Sequence, residues 1–279
     1  MTSSTVDMEN NMLELYHHGS SVCAAKVRFA LAEKGLEWNG RYIDILKGDQ
    51  FDPDYMKLNP KAVVPTLVHD GWSLVESTVI CEYLDEVFPS PSLKPADARG
   101  RAEMRLWTKA IDEHLHPVCG EITFACSHRH TIARLGTEGL EKFLNSTPPI
   151  SVTPLWHERK KEIVRLGFQA PGIDKSLLLY DRYLQKMEEA LVQSIWIAGD
   201  TFSLADIGLT PYVNRLDMMG MSEMWTKKRP RVTDWFERIK ARPTFKETFL
   251  DWVPAELTED LATFGAKSWP EAKIILDAA

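Results

Sequence analysis

The sequence predicts two domains of different class. A small α/β domain over residues 12–90, ordered β-α-β and then β-β-α, precedes a larger all-helical domain over 97–255 and a C-terminal tail over 256–279. Three observations carry this. A chain of 279 residues is long enough for two domains of about 150 residues each. Residues 12–88 alternate short strand-like and helix-like runs, whereas almost everything after Pro95 reads at the helical period. Apolar residues make up 44% and charged residues 26%, enough to bury a substantial core, which excludes wholesale disorder.

In the small domain, Leu13-Glu14-Leu15-Tyr16 alternates as a first strand, and a polar loop follows over 17–21. Residues 22–34 carry Val27, Ala30 and Leu31 at helical spacing, and Gly35 stands where a left-handed residue ends a helix. Residues 41–45 alternate again, and strand-helix-strand in this length implies a right-handed parallel crossover. Residues 66–68 and 73–75 flank Asp70-Gly71 as an antiparallel hairpin. Ser77 then precedes a helix with Val79, Ile80, Tyr83, Leu84 and Val87 on one face, closed by Pro89.

In the second half, Met104, Trp107, Ile111 and Leu115 form one helical stripe, and Tyr180, Leu184, Met187 and Leu191 another. Ser203-Leu204-Ala205-Asp206 reads as a capping box opening a third helix. Val232, Trp235, Phe236 and Ile239 mark a fourth, which stops before Pro243. Residues 126–175, interrupted by Pro148, Pro149, Pro154 and Pro171, read as a long excursion shaping a pocket wall. The tail after Trp252 either packs across the small domain or frays.

Composition excludes several functions. Thirty-three basic against forty acidic residues give a net charge of −7, which repels phosphate backbones and anionic lipid surfaces, so neither nucleic acid nor membrane is expected as a partner. No apolar run approaches the length of a membrane span, and four cysteines are too few for a disulfide framework. A cytoplasmic location follows. His114, His116, Cys119, Cys126, His128 and His130 crowd one stretch but lack a zinc-like pair, so no metal is expected there; a pocket wall or a solvated helix is the preferred reading. Trp107, Phe124 and Trp156 either line an aromatic pocket or belong to the core.

Three local features carry chemistry. In Val63-Val64-Pro65-Thr66 a proline introduces a strand. A cis Val64-Pro65 bond would offer the Val64 N–H and C=O to an extended peptide; a trans proline entering an edge strand is the commoner arrangement for such a pair taken alone. Glu76-Ser77-Thr78 opens an apolar helix, where hydroxyls, free N–H groups and the dipole hold a carboxylate while Glu76 meets an ammonium; a plain N-cap competes with this. Ser20-Ser21-Val22-Cys23 brings a hydroxyl and a thiol to another helix start, a place that favours thiolate, or else a cap and a small buried hydrophobe.

Together these features resemble a cytosolic glutathione transferase over roughly residues 12–250. The stretch from Ser21 through Arg28 and that from Lys61 through Leu67 are similar to zeta-like enzymes and bacterial tetrachlorohydroquinone reductive dehalogenases. The stretches from Glu76 through Leu84 and from Arg101 through Lys109 are similar instead to bacterial β-aryl etherase-type transferases. The resemblance implies a thioredoxin-like first domain, glutathione as cofactor, a hydrophobic and aromatic acceptor, and a homodimer. It implies the γ-glutamyl head at Glu76 and Ser77, the cysteinyl backbone at Val64 beside Pro65, and the glycyl carboxylate near Lys61 and Gln50. Ser21 is then the thiolate stabiliser. Cys23 is a bystander in conjugation or ether cleavage, and the nucleophile in reductive dehalogenation or thiol exchange. The alternative is a glutathione-binding or dimerisation module without chemistry.

Overall fold

Leu13, Leu15 and His17 face inward along β1 (Leu13–His17), an inner strand of a mixed four-stranded sheet ordered β2-β1-β3-β4. The computed structural model describes residues 12–149, 151 and 155–279. Helix α1 (Val22–Glu33) follows, Gly35 has a φ of 62° just beyond it, and β2 (Asn39–Tyr42) returns parallel to β1. This strand ends earlier than the alternation of 41–45 predicts. The Asp44 carboxylate accepts from the Leu46 and Lys47 amides and turns the chain away. A short helix that the sequence reading did not include, α2 (Pro53–Leu58), comes next, capped by Asp52 with Pro53 at its first position.

Strands β3 (Thr66–His69) and β4 (Trp72–Val75) form the expected hairpin, with both turn residues left-handed: Asp70 has φ 49° and Gly71 φ 83°. Helix α3 (Ser77–Val87) packs against α1 through Ile80, Cys81 and Leu84. Its buried stripe is narrower than predicted: Val79 and Val87 are 51% and 41% exposed, because the elements packed on this helix leave its far side uncovered.

The helical domain begins with α4 (Ala98–Ala110), α5 (His116–Thr123) and α6 (Arg129–Ala133). Two π-turns, Ile111–Leu115 and Phe124–His128, join them into one continuous helical run, and each resets which face points inward. Next come α7 (Gly136–Ser146), α8 (Trp156–Leu166) and α9 (Ile173–Ala190). The supposed excursion over 126–175 is therefore mostly helix; Pro148 and Pro149 lie between α7 and α8, Pro171 precedes α9, and Pro154 lies outside the described residues. Helix α10 (Leu204–Met218) opens on the predicted capping box, and α11 (Glu223–Thr226), α12 (Pro230–Lys240) and α13 (Ala255–Asp277) complete the domain. The buried Asp206 carboxylate also accepts from the Ile197 amide and the Trp235 indole, which ties three segments together.

The tail neither frays nor crosses the small domain. It is the 23-residue α13, packed on α9, α10 and the second π-turn, with Leu257 and Leu261 buried. Trp252 ahead of it does reach the small domain, edge-on to His17 at 4.6 Å. The two domains share a seam in which α1 lies along α10 and Arg242 pairs with Glu33. Among the described residues no helix is long and apolar enough to cross a membrane.

Candidate active site

Two adjoining cavities open where the small domain meets the helical one, and both are lined by Val63, Val64, His116 and Ser151. The Val64-Pro65 bond is cis. The preceding carbonyl, of Val63, accepts from the Tyr55 hydroxyl at 2.6 Å and the Asn59 amide at 2.9 Å. Val64 lies just before the β3 ladder, which starts with Thr66 opposite Tyr16, so its backbone borders the cavities instead of the sheet.

The smaller cavity, of about 110 Å³, is lined further by Cys23, Lys61, Pro65, Glu76, Ser77 and Asp112. Glu76 precedes α3 with φ 70°, a backbone region that costs a side-chain-bearing residue on the order of 1 kcal/mol or more. It provides no side-chain cap, so the first N–H groups of α3 are left for another acceptor. Lys61 holds the Glu76 carboxylate at 2.7 Å.

Cys23 occupies the second position of α1 and faces this cavity, with the His116 ring 3.4 Å from its sulfur and the Tyr212 hydroxyl at 3.9 Å. Burial pushes the thiol up, but the charges of His116 and Lys26 and the hydrogen bond from His116 outweigh it and bring the pKa down to about 6. His116 moves the other way: burial opposes its charge, yet the facing thiolate raises its pKa. Lys26, fully buried, is held by Asp112 at 2.9 Å and Thr78 at 3.3 Å. The arrangement sets a cysteine–histidine pair, biased towards thiolate, in front of a lysine–carboxylate pair.

The larger cavity, of about 150 Å³, is mainly aromatic and aliphatic, with Phe51, Phe124, Phe143 and Trp156 in its wall. Ser21 lines it, caps α1 and accepts from the Ala24 amide at 3.2 Å. A hydroxyl that accepts in this way still has its proton to donate. The loop before it is fixed from behind by two buried arginines: Arg28 donates to the His18 and Gly19 carbonyls at 3.1 Å each, and Arg215 donates to the Ser20 carbonyl. Neither guanidinium has a carboxylate partner among the described residues, so both charges favour an anion near the loop.

Ser21 and Cys23, two positions apart, share a pocket if both lie in a loop and diverge by roughly 200° in helix geometry. Because Cys23 is already helical, the two side chains diverge, Ser21 to the larger cavity and Cys23 to the smaller. Val64, Pro65, Glu76, Ser77 and Lys61 come together at the smaller cavity. Gln50 does not join them: it lines the larger cavity, its amide nitrogen bonds the Ile45 carbonyl at 3.1 Å, and its buried oxygen has no partner among the described residues. The His/Cys-rich stretch resolves into separate roles. His116 faces Cys23, His128 contacts Ser20 at 3.4 Å, His130 stacks on Phe264, and Cys119 and Cys126 are core residues. Phe124 and Trp156 line the larger cavity, whereas Trp107 packs against the core. Sequence reasoning does not reach Lys26, Arg28, Asp112 or Arg215; Lys26, Arg28 and Arg215 are signalled by charge on otherwise apolar helical faces, whereas Asp112, half exposed in a π-turn among polar residues, has no such signal.

Comparison with known proteins gives this geometry its context. Residues 15–92 match the glutathione S-transferase N-terminal domain and residues 170–238 the glutathione S-transferase C-terminal domain. The chain is 35% identical over 242 residues to Protein LigF of Sphingobium sp. strain SYK-6, covering 85% of this chain and 93% of LigF. The crystal structure of that beta-etherase superposes with a TM-score of 0.77, covering 85% of this chain and 98% of the other. The tetrachloro-p-hydroquinone reductive dehalogenase of Sphingobium chlorophenolicum is 27% identical over 242 residues, 84% of this chain and 94% of the enzyme. Glutathione is the cosubstrate of this fold family, and the thioredoxin-like first domain followed by a helical domain is its architecture. The chain belongs to the glutathione S-transferase family.

Proposed function

We propose that the protein is a glutathione transferase that lays glutathione along the Val64 turn, ionises its thiol beside Ser21 and directs it at an aromatic electrophile in the larger cavity. The observation that carries this reading is the shared wall: Val64 and His116 border a polar cavity suited to a zwitterionic head and an apolar cavity suited to an acceptor. The γ-glutamyl carboxylate meets Ser77 and the uncapped start of α3, and its ammonium meets Glu76. The cysteinyl backbone pairs with Val64. Lys61 leaves Glu76 for the glycyl carboxylate, an exchange that keeps both side chains paired. Gln50 serves the same carboxylate only if its amide nitrogen gives up Ile45.

Ser21 donates to the glutathione sulfur, and the field of Arg28 and Arg215 lowers the thiol pKa further. The thiolate attacks an electrophilic carbon: a C–S bond forms, and the bond to an aryl ether oxygen or a halogen breaks, with the electron pair leaving on oxygen or halide. The likeness to a beta-etherase and a reductive dehalogenase supports an aromatic acceptor. Cys23 supplies a second step for products that keep glutathione on carbon. Its thiolate attacks the glutathionyl sulfur, the carbon–sulfur bond breaks, the carbon takes a proton, and the Cys23–glutathione disulfide is resolved by a second glutathione. In this reading the protein is a cytoplasmic homodimer, supported by four free cysteines and by exposed apolar residues on α3 and α4, Val79, Val87 and Leu106. The test is the thiolate absorbance of bound glutathione at neutral pH. We expect it in the native protein and in Cys23→Ala, and its loss in Ser21→Ala. Absence from all three would leave a glutathione-binding or dimerisation module without chemistry.

A further inference from the structure

We propose that Lys160 is the specificity residue of the larger cavity, donating to an ionised oxygen, phenolate or carboxylate, on an aromatic acceptor whose ring lies among Phe51, Phe124 and Phe143. The inference rests on reading that cavity as the acceptor site. Lys160 is 5% exposed and lines the cavity from α8. Its ammonium lies 4.2 Å from the Phe143 ring centre, 5.7 Å from Phe124 and 5.9 Å from Phe51. An ammonium carries three donors, and among the described residues one of them is used, by the Thr147 hydroxyl at 2.8 Å. Lys34 shows what a structural lysine at similar burial looks like here: its three donors meet Asp85 at 2.8 Å, the Phe88 carbonyl at 2.6 Å and the Pro91 carbonyl at 2.8 Å.

A buried ammonium with two unspent donors and no carboxylate is unfavourable unless something anionic completes it. Burial accordingly lowers the Lys160 pKa to about 7, so an arriving oxyanion also restores the charge. Arg215 and His128, also in the wall of this cavity, contact Ser20 and belong to the sulfur end. Lys160 therefore sits on the aromatic wall, away from the thiol, with the ring faces to hold an arene and the donors to read its substituent.

The experiment is equilibrium binding of paired probes to the full chain at about pH 6.5, followed by tryptophan fluorescence, with and without S-methylglutathione. One arm compares 4-nitrobenzoate with 4-nitrobenzamide; the other compares 2,4-dinitrophenolate with 2,4-dinitrotoluene. The native protein should prefer an anion about tenfold, as a hydrogen bond to a charged group gives. The arm with the larger ratio identifies carboxylate or phenolate as the ligand. Lys160→Met should reduce the ratio to about twofold or less, Lys160→Arg should keep most of it, and S-methylglutathione affinity should stay unchanged in both. An undiminished ratio in Lys160→Met, or no preference for either anion in the native protein, overturns the proposal. Failure to bind S-methylglutathione while the anion preference persists would instead remove the glutathione reading and leave Lys160 an anion site.

Discussion

The two cavities on either side of Val64 handle charge in opposite ways. In the smaller one every charge has a counterpart: Glu76 with Lys61, Lys26 with Asp112, Cys23 with His116. In the larger one Arg215 and Lys160 are buried without a carboxylate among the described residues, and much of the rest of the wall is aromatic or aliphatic. Paired charges recognise a ligand that is itself paired, such as an amino-acid head, by exchanging partners. Unpaired buried charges recognise a ligand that brings the missing sign, and they do so more strongly because water is excluded. The smaller cavity thus fits a constant zwitterion, and the larger one a variable apolar molecule whose charge is developed or supplied during reaction.

The largest effect that tests this division is on Ser21. Ser21→Ala should lower kcat/KM for conjugation by about a hundredfold, as loss of one oxyanion-type donor does, while glutathione Kd moves no more than about threefold. Loss of the α1 cap should cost about 1 kcal/mol in a melting experiment, too little to explain the rate. Cys23→Ala should leave conjugation within about fivefold but abolish thiol exchange with a glutathionyl conjugate. Equal losses for the two variants would erase the distinction between the cavities.

On the other side, Glu76→Gln or Ser77→Ala should weaken glutathione binding by about ten- to thirtyfold, the size expected for a hydrogen bond to a charged group, with no change in preference among acceptors. Isothermal titration reads the first outcome and a competition between two acceptors the second. A shift in acceptor preference would mean that the cavities act as one.

A smaller change separates Cys23 from the buried thiols. The thiolate is the reactive form and its pKa is lowered, so iodoacetamide labelling should be at plateau at neutral pH and fall as pH drops through about 6. Replacing His116 with Gln removes the larger of the two opposing charges and leaves Lys26 alone to offset burial. The midpoint should then move up towards the ordinary value of 9.0, and labelling at pH 7 should slow by about tenfold. Cys81, Cys119 and Cys126 are buried with raised pKa values, so the labelling reports Cys23. An unshifted midpoint would take His116 out of the pair.

How much of this was legible depends on how far apart the cooperating residues lie. The hairpin, the capping box and the α9 and α12 stripes were readable because each is enforced by neighbours within a few positions, such as Asp70-Gly71 or Ser203 with Asp206. The polar cavity was readable because its motifs are short segments, around Val64 and around Glu76. The partners of Cys23 were not: His116 is 93 positions away and was grouped with its sequence neighbours, and the π-turn before it alters the phase that helical spacing assumes. The α3 stripe was read too wide because hydrophobic periodicity reports apolar residues, not which of them another element covers.

The smallest effect concerns the stability of the aromatic cavity. If Lys160 is present for recognition, it weakens the fold, and Lys160→Met should stabilise the protein by about 1 kcal/mol, since an apolar side chain of similar length fills the same space without desolvating a charge. The sign with pH follows from the pKa. The folded value is about 7 against an ordinary 10.5, so between these limits the unfolded chain binds more protons and native stability rises with pH. The penalty from Lys160 is therefore full below about pH 7 and fades as pH approaches 10.5. Denaturation midpoints should show the Met variant ahead of the native protein at pH 6.5 and the gap narrowing by pH 9.5. A Met variant that is less stable at every pH would make Lys160 a tether for Thr147, and the contrast between the two cavities would lose its aromatic half.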